Sequence, residues 1–453
     1  MTHYYHVDPL TTAGDASGRY PGNHVKYSKL LAPVRWIDNT KKALTGSSAF
    51  NLTKASLKEF DKPGDLHPRW GSANDIRVLR DCLEMFATGL DNNPHISSIG
   101  RMLIKTVYLT YLRNRTEFIE FFEENAEFIE ANGKYKAPLL VTGYPRTGTT
   151  LLHRLLAEDP QSRSPYTYEM EQVLPPLKSG EDPMISDRIK KSAASINLLA
   201  KYAPGFIQKL NESHLWSATE KEESLLYMQF HHGMNIANGV QAGLEYALRL
   251  AQPDVAPALL KYERNFFTML DAYAPAGTHW INKAPSYALY FGSIFDEFDD
   301  ARVVVTHRNP AKNAASFARL VESACIPFDV EGSIDKHAFG QMVVEFSGLC
   351  WQRPLEFRNA HPERESQIID AVYSDTFADP IAMVRRIYEK FEMEVTSEFE
   401  ERMKVYLADN QQGKYGRHRY SNEEYAINAE DLKARHRDYF EKYGFDTQPT
   451  HDD

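Results

Sequence analysis

Apolar residues recur every three or four positions between residues 74 and 132, and this spacing predicts amphipathic helices. The residues that keep the spacing are Ile76, Leu79, Leu83, Phe86, Ile96, Ile99, Leu103 and Val107. The following stretch, TEFIEFFEENAEFIEAN, continues the pattern with an acidic outer face. We expect these helices to pack against the domain that follows, because their apolar stripes need a partner surface.

After residue 136 the pattern changes to short apolar runs, each followed by a segment with helical spacing. The runs are APLLVTG, HWINK (279–283), ARVVVTH (301–307) and QIIDAVY (367–373). Continuous rather than alternating apolar positions are typical of strands that are buried on both faces. The pattern therefore predicts an α/β protein of the P-loop type, with three layers and a central parallel sheet flanked by helices.

This reading divides the chain into three parts. We predict an N-terminal arm and helical extension over residues 1–135, an α/β domain over 136–445 and a tail over 446–453. A mainly helical insertion over about 183–270 is long enough to build a substrate pocket above the sheet. Residues 1 to about 75 are rich in Pro, Gly, Asn and charge, which favours either a wrapping arm or partial disorder.

Charge and cysteine content narrow the class further. The chain has 52 Lys and Arg against 62 Asp and Glu, so its formal net charge of -10 disfavours nucleic acid and anionic lipid as partners. Any anion site must be a local basic island. The three cysteines (Cys82, Cys325 and Cys350) form no CxxC pair, which argues against a disulfide framework or a zinc cluster. A polar N-terminus and no apolar run of membrane-spanning length predict a soluble, cytoplasmic protein.

The stretch VTGYPRTGTTLLHRLLAEDP, residues 141–160, places a loop between a predicted strand and a predicted helix. Gly143 and Gly148 keep the spacing of a Walker-type loop, whose backbone N–H groups and helix N-terminus bind phosphate. Thr149 occupies the position of the Walker lysine, and Arg146 is the cation inside the loop. Such a loop suits an anion whose terminal group is less charged than a triphosphate. Taken alone, it also fits a tight strand-to-helix turn capped by Thr149.

The same stretch resembles the 5′-phosphosulfate loop of sulfotransferases that use 3′-phosphoadenosine 5′-phosphosulfate (PAPS). A second segment, VVVTHRNPAKNAASFARL at 303–320, resembles their 3′-phosphate-binding strand, loop and helix. There an arginine and a serine eight residues later bind the phosphate together, as a guanidinium and a hydroxyl can. The resemblance covers roughly residues 95–445 and is nearest to the bacterial-type branch with a helical N-terminal extension. It implies nucleotide contacts from Arg146, Thr147, Gly148, Thr149, Thr150, Arg308 and Ser316.

Two further segments extend this resemblance toward the C-terminus. YSDTFADP at 373–380 resembles a segment of this branch whose tyrosine region lies near the nucleotide, which here implies Tyr373. GKYGRHRYS at 413–421 resembles the basic loop that closes over the 3′-phosphate and adenine, and it implies Lys414 and Arg417 as ligands. A solvated basic turn is the alternative interpretation of that loop.

The resemblance also implies which cations assist the transfer. PAPS is the expected co-substrate, and no metal is required because a singly charged sulfonate can be stabilised by cationic side chains and backbone amides. Lys283 in HWINKAPSYAL resembles the family lysine that contacts the bridging and sulfonate oxygens, and Arg146 is the other cation. Many relatives read K-S-P-x-H after this lysine, whereas this chain has Tyr287 in place of the histidine.

A general base must then come from another part of the chain, because a hydroxyl acceptor loses its proton as it attacks. Glu169, in SPYTYEMEQ, falls where carbohydrate-modifying relatives have a catalytic glutamate, and we expect it near Lys283 and Arg146. The alternative for Glu169 is a helix-capping or ion-pairing carboxylate. Weaker candidates for contact with the acceptor are Tyr287, His231 and His232.

The sequence thus predicts a sulfotransferase acting on a small-molecule hydroxyl or amine acceptor. A kinase or nucleoside-triphosphate hydrolase on the same architecture is the first alternative; the missing Walker lysine and the lack of an evident magnesium-binding carboxylate after a strand argue against it. A non-catalytic nucleotide-binding protein is the second, and Lys283 with Glu169 weighs against it. The class of acceptor stays open among steroids, lipids, sugars and polyketide-type alcohols.

Overall fold

The structure is a computed structural model and describes residues 31–202, 217–330, 333–410 and 421–447. Its centre is a sheet of five parallel strands in the order β2-β3-β1-β4-β5. The strands are β1 (Leu139–Gly143), β2 (Ser162–Arg163), β3 (His279–Lys283), β4 (Arg302–His307) and β5 (Ile368–Val372). The predicted α/β class and its four predicted strands are confirmed. The sequence pattern missed β2, because a two-residue strand is too short to produce one.

Five helices precede the sheet: α1 (Ala32–Thr45), α2 (Thr53–Phe60), α3 (Ala73–Asn92), α4 (Ser98–Glu124) and α5 (Ala126–Asn132). The helical rhythm predicted from residue 74 onward is confirmed by α3, α4 and α5. α3 begins with a capping box, in which Ser72 and Asp75 each accept a hydrogen bond from the other's backbone N–H. α1 is tied to α4 through the buried carboxylate of Asp38, which accepts a hydrogen bond of 2.6 Å from Ser98.

The remaining helices follow the strands or fill the insertion. They are α6 (Thr149–Leu156), α7 (Thr167–Glu171), α8 (Asp187–Tyr202), α9 (Ser224–His231), α10 (Gly239–Ala242), α11 (Leu244–Leu250), α12 (Ala256–Tyr273), α13 (Phe291–Glu297), α14 (Pro310–Cys325), α15 (Lys336–Ala360), α16 (Tyr373–Ala378), α17 (Pro380–Lys390), α18 (Ser397–Asp409), α19 (Ala429–Arg435) and α20 (Arg437–Lys442). None of the helices in the described ranges combines the length and apolarity that crossing a bilayer requires.

Helices cover both faces of the sheet, as expected for strands without a polar side. On one face, α6, α17 and α18 bury Val141, Ile281 and Val304 from three neighbouring strands. On the other face, Leu140 and Val303 belong to an apolar cluster that also contains Phe267 of α12 and Trp351 of α15. The result is the predicted three-layer arrangement.

This second cluster runs without a break into the N-terminal helices, because it also includes Leu83 of α3 and Phe118 of α4. Trp70 lies at this junction, where its ring centroid is 5.4 Å from that of Phe118 and 5.8 Å from that of Tyr262 in the insertion. The extension and the insertion therefore share one core with the sheet. The domain boundary predicted at residue 135 stays a prediction, and one apolar cluster contains residues from both sides of it.

Replacement of Trp70 tests whether this shared core unfolds as one unit. Its side chain is 2% exposed, so we expect Trp70→Ala to lower the free energy of unfolding by about 3–5 kcal/mol. Denaturant unfolding followed by circular dichroism should show a single shifted transition. Trp36→Ala is the matched control; because that ring is 70% exposed, the change should stay within about 0.5 kcal/mol. Two transitions, with the later one unshifted, would contradict a shared core.

Candidate active site

The glycine-containing loop leaves the sheet where β1 and β4 come very close together. Gly143 ends β1 with φ +136°, and a Cβ at this position would lie 2.4 Å from the carbonyl oxygen of Thr306 in β4. Gly148, with φ +91°, precedes α6 as its N-cap, and no side chain caps the first turn of that helix. The N-terminus of α6 is therefore open to an anion, as in phosphate loops.

Arg146 adopts a conformation that costs free energy. Its φ of +70° lies in the left-handed region, which is unfavourable by about 1 kcal/mol for a residue with a side chain. Contacts from β4 and α14 hold the loop in this shape. The hydroxyl of Thr147 donates to the carbonyl of Tyr144 at 2.6 Å and lies 2.5 Å from the hydroxyl of Thr306.

The three threonines predicted to contact the nucleotide have different surroundings. Thr147 is buried and its hydroxyl is used inside the protein, so its backbone N–H is the group left for an anion. Thr149 and Thr150 form the first turn of α6; Thr149 is buried and Thr150 is half-buried. All three lie in the loop or in the first turn of α6, and their contacts with a nucleotide stay predictions.

Residues predicted from three distant segments meet beside this loop. Arg146 Nε lies 3.2 Å from the hydroxyl of Ser316 in α14. A guanidinium nitrogen of Arg308 lies 3.3 Å from the carbonyl oxygen of Arg146, and the same guanidinium lies 4.3 Å from the ring centroid of Tyr373. Tyr373 in turn packs beside Gly148, since a Cβ there would lie 3.4 Å from the tyrosine ring. Two arginines, a serine and a tyrosine therefore surround one small volume at the sheet edge.

Lys414 and Arg417, predicted in the basic loop, lie outside the described residues. Where the description resumes, the chain is anchored next to the same site. The side-chain amide of Asn422 donates a hydrogen bond of 2.8 Å to the carbonyl of Ala311, three residues beyond Arg308. The predicted contacts of the basic loop stay predictions.

A buried network supports Arg308 from behind the sheet. The preceding residue, His307, has one ring nitrogen 2.9 Å from the hydroxyl of Tyr439 and the other 2.8 Å from Asp370 of β5. Burial lowers the pKa of His307, and its hydrogen bond to Asp370 opposes this shift. Arg358 also donates to Asp370 at 2.7 Å. The end of β4 is thereby held in place, which fixes the backbone from which Arg308 projects.

Lys283 ends β3 and is buried, with its side chain 1% exposed. Its backbone is in register with Val141 of β1, two residues before Gly143, so Lys283 projects from the edge that carries the loop. Its ammonium lies 2.7 Å from Oε1 of Glu223, at the start of α9. The sequence pattern gives no sign of Glu223, because the stretch TEKEES resembles a solvated charged segment and Glu223 lies 60 residues before Lys283.

Glu169 has a different cation from the one expected. It is completely buried, its Oε1 accepts a hydrogen bond of 2.6 Å from Arg163, and its Oε2 accepts one of 3.1 Å from the backbone N–H of Tyr166. Arg163 lies over the ring of Trp280, near the start of β3, whereas Lys283 ends that strand. The contacts of Glu169 are those of an ion pair and a helix cap, and its role as a general base stays a prediction.

The weaker candidates are also buried. His231 contacts the hydroxyl of Tyr262 at 3.1 Å and the carbonyl of Met170 at 2.8 Å, and burial lowers its pKa to about 4. His232 packs its ring against Tyr262, and burial holds its pKa well below the ordinary value. Both rings are therefore neutral core groups.

Tyr287, which replaces the histidine of many relatives, belongs to a buried polar chain. Its hydroxyl donates to Oε1 of Glu263 at 2.5 Å and lies 2.8 Å from the hydroxyl of Ser224. Burial raises the pKa of Glu263 to about 7, and the nearby hydroxyls of Tyr287 and Ser224 limit this rise. Ser224 directly follows Glu223, so the chain ends next to the carboxylate that pairs with Lys283.

The raised pKa of Glu263 makes stability depend on pH. The folded protein binds this proton more tightly than the unfolded chain does. The proton therefore contributes fully to the free energy of unfolding below about pH 4.5, and this contribution is lost as the pH rises to about 7. Glu263→Gln keeps the shape of the side chain and removes the titration. Over this pH range the wild type should lose roughly 3 kcal/mol relative to the variant. Denaturant midpoints at several pH values measure this, and parallel curves for the two proteins would contradict the assignment.

Comparisons with known proteins address the fold and the family of this chain. Residues 138–397 match the sequence model of the sulfotransferase family. The fold is similar to that of sulfotransferase STF9 from Mycobacterium avium, at 22% identity and a TM-score of 0.73, covering 86% of this chain and 96% of that one. It is also similar to STF1 from Mycobacterium tuberculosis H37Rv, at 22% identity and a TM-score of 0.62, covering 90% and 99% of the two chains.

No curated protein sequence matches this chain. The family assignment depends instead on the family model, which spans more than half of the 453 residues and includes β1 with its loop, Lys283, and β4 with Arg308. The two structural relatives share the fold over nearly their whole length. This chain belongs to the sulfotransferase family.

Proposed function

We propose that this protein transfers a sulfuryl group from PAPS to the hydroxyl or amine of a small-molecule acceptor. The observation that carries the proposal is the contact of the loop with Arg308 and with Ser316 of α14. Arg146 lies 3.2 Å from Ser316, and Arg308 lies 3.3 Å from Arg146. Two such segments side by side suit a nucleotide that carries phosphate on both the 5′ and the 3′ oxygen of its ribose. A triphosphate would need only the first.

In this proposal the open N-terminus of α6 and the backbone of Thr147 to Thr149 bind the 5′-phosphosulfate. Arg308 and Ser316 bind the 3′-phosphate through a guanidinium and a hydroxyl. Tyr373 lies against Arg308 and Gly148 and forms one wall of the nucleotide site. These groups lie in the segments that follow β1, β4 and β5. Such segments meet at the carboxyl edge of the sheet, which is the usual ligand side of such folds.

The transfer itself is an in-line displacement. The acceptor oxygen or nitrogen attacks sulfur, the bond from sulfur to the bridging oxygen breaks, and adenosine 3′,5′-bisphosphate leaves with the electron pair. Negative charge grows on the bridging oxygen, so cations fixed beside it lower the barrier. Of the cations at this edge, we assign Lys283 and Arg146 to the bridging and sulfonate oxygens, and their place on a strand and a constrained loop keeps them in position.

Nucleotide binding tests the donor assignment. Isothermal titration should show that the protein binds adenosine 3′,5′-bisphosphate more tightly than ATP with magnesium. Arg308→Ala should weaken the bisphosphate about 10- to 100-fold, because it removes charge-assisted hydrogen bonds. Adenosine 5′-phosphate, which lacks the 3′-phosphate, is the matched control ligand and should change less than threefold. Equal losses for both ligands, or tighter binding of magnesium ATP, would contradict the proposal.

Replacement of Lys283 tests the transition-state role. Lys283→Met keeps the length of the side chain and removes the charge, so single-turnover transfer from ³⁵S-labelled PAPS should slow by about 100-fold or more. Affinity for PAPS should stay within threefold, because its bridging oxygen gains negative charge only as the bond to sulfur breaks. Thermal unfolding checks that the variant is folded. A variant that loses affinity and rate equally would show that Lys283 serves binding alone.

A further inference from the structure

We propose that Glu223 is the general base, the residue that takes the proton from the acceptor as it attacks sulfur. This inference depends on the proposed function and names a residue that the sequence pattern did not single out. The juxtaposition that carries it is the 2.7 Å contact between the Glu223 carboxylate and the ammonium of Lys283. The base and the cation of one transfer must lie within a few ångströms of the same sulfur.

The position of Glu223 meets this requirement. Lys283 aligns with Val141 in the strand that leads into the loop, so its partner carboxylate lies at the same sheet edge. Glu223 is the more accessible member of the pair, at 19% exposed against 1% for Lys283. An acceptor approaching the buried ammonium from solvent therefore reaches the carboxylate on the way.

Glu223 also has an oxygen to spare. Its Oε1 binds Lys283, and within the described ranges no protein group donates to its Oε2. In Glu169, by contrast, Arg163 and the N–H of Tyr166 occupy both oxygens, and the side chain is fully buried. A proton acceptor needs a free lone pair that the substrate can reach, and of these two carboxylates Glu223 offers one.

Nearby histidines do not compete for this role. His153 of α6 is fully buried and lies 2.8 Å from the hydroxyl of Ser164. Burial, and next the charge of Lys283, hold its pKa well below the ordinary value. Tyr287, at the position where many relatives have histidine, directs its hydroxyl into the protein toward Glu263. Neither of these side chains offers a reachable base, whereas the Glu223 carboxylate lies in contact with Lys283.

The buried chain behind Glu223 holds it in position. Ser224, the first residue of α9, is hydrogen-bonded to Tyr287 at 2.8 Å, and Tyr287 is hydrogen-bonded to Glu263 of α12 at 2.5 Å. These contacts fix the N-terminus of α9 against β3 and α12. Glu223 is the N-cap residue directly before it, so Tyr287 and Glu263 are positioning residues for its carboxylate.

The proposed step balances without any further reactant. The acceptor oxygen forms a bond to sulfur, and its proton moves to Oε2 of Glu223, which becomes a neutral carboxylic acid. The bond between sulfur and the bridging oxygen breaks, and its electron pair stays on adenosine 3′,5′-bisphosphate. Lys283, whose ammonium lies 2.7 Å from Glu223, stabilises the leaving oxygen as Glu223 loses its negative charge.

Transfer rates with acceptors of different acidity show whether Glu223 acts as a base or only binds the acceptor. With phenol, which is protonated at pH 8, Glu223→Gln should lower the transfer rate from ³⁵S-labelled PAPS at least 100-fold. With 4-nitrophenol, which is largely ionised at pH 8, the same variant should lose less than tenfold, because no proton has to be removed. Glu223→Asp should keep at least a tenth of the rate with phenol. Slow hydrolysis of PAPS, with water as the acceptor, extends the comparison if neither phenol reacts.

Glu220→Gln is the matched control, because this carboxylate is three residues away and pairs with Arg154 at 2.9 Å; its rate should stay within threefold of wild type. Tyr287→Phe should lower the transfer rate with phenol three- to tenfold and leave the transfer rate with 4-nitrophenol nearly unchanged. A variant that had lost its fold would instead lose both rates. Affinity for adenosine 3′,5′-bisphosphate should stay constant in all variants.

Three results would overturn the assignment. Glu223→Gln could keep the wild-type transfer rate with phenol, or its transfer rate could fall by the same factor with both phenols. It could also raise the rate of PAPS hydrolysis, which would mean that Glu223 normally weakens the effect of Lys283 on the donor. A loss with Glu169→Gln alone would return the role to Glu169. Tighter binding of magnesium ATP than of adenosine 3′,5′-bisphosphate by the wild-type protein would instead overturn the proposed function itself, so the two failures are distinguishable.

Discussion

The close approach of β1 and β4 at Gly143 is the constraint on which the candidate site depends. No side chain fits there, since a Cβ would lie 2.4 Å from the backbone of Thr306. Because the two strands are parallel and adjacent, their following loops leave the same edge side by side. Arg146 and Arg308 come from those two loops, and their contact is a consequence of the strand register rather than of any local sequence signal.

The chemistry that we propose for the site depends on a third strand and on the insertion. Lys283 is held at the end of β3 by its register with β1, and its charge is compensated by Glu223 from α9. A buried ammonium without such a partner would be strongly unfavourable. The ion pair therefore stabilises the folded protein when no ligand is bound. It also places a cation and a carboxylate next to each other where the sulfuryl group is expected.

Several features were predictable because they depend on neighbours in the sequence. The four longer strands follow from continuous apolar runs, and the loop follows from Gly143 and Gly148 between a strand and a helix. Glu223 was not predictable in this way. Its partner lies 60 residues away, and its flanking residues resemble an ordinary exposed turn. Glu169 illustrates the converse, because a suggestive position in the sequence led to a carboxylate that Arg163 already holds.

By itself, the sequence determined the α/β class, the phosphate-type loop without its lysine, and the residues Arg146, Arg308, Ser316 and Lys283 that resemble a known pattern. Hydrophobic periodicity and short motifs depend on residues that are close together in the chain, so they can be recognised in the sequence alone. The tertiary structure decided which charges meet: Lys283 with Glu223, Glu169 with Arg163, and Tyr287 with Glu263. Ion pairs and buried hydrogen bonds depend on distances of a few ångströms between segments, which only the packing of helices on the sheet sets.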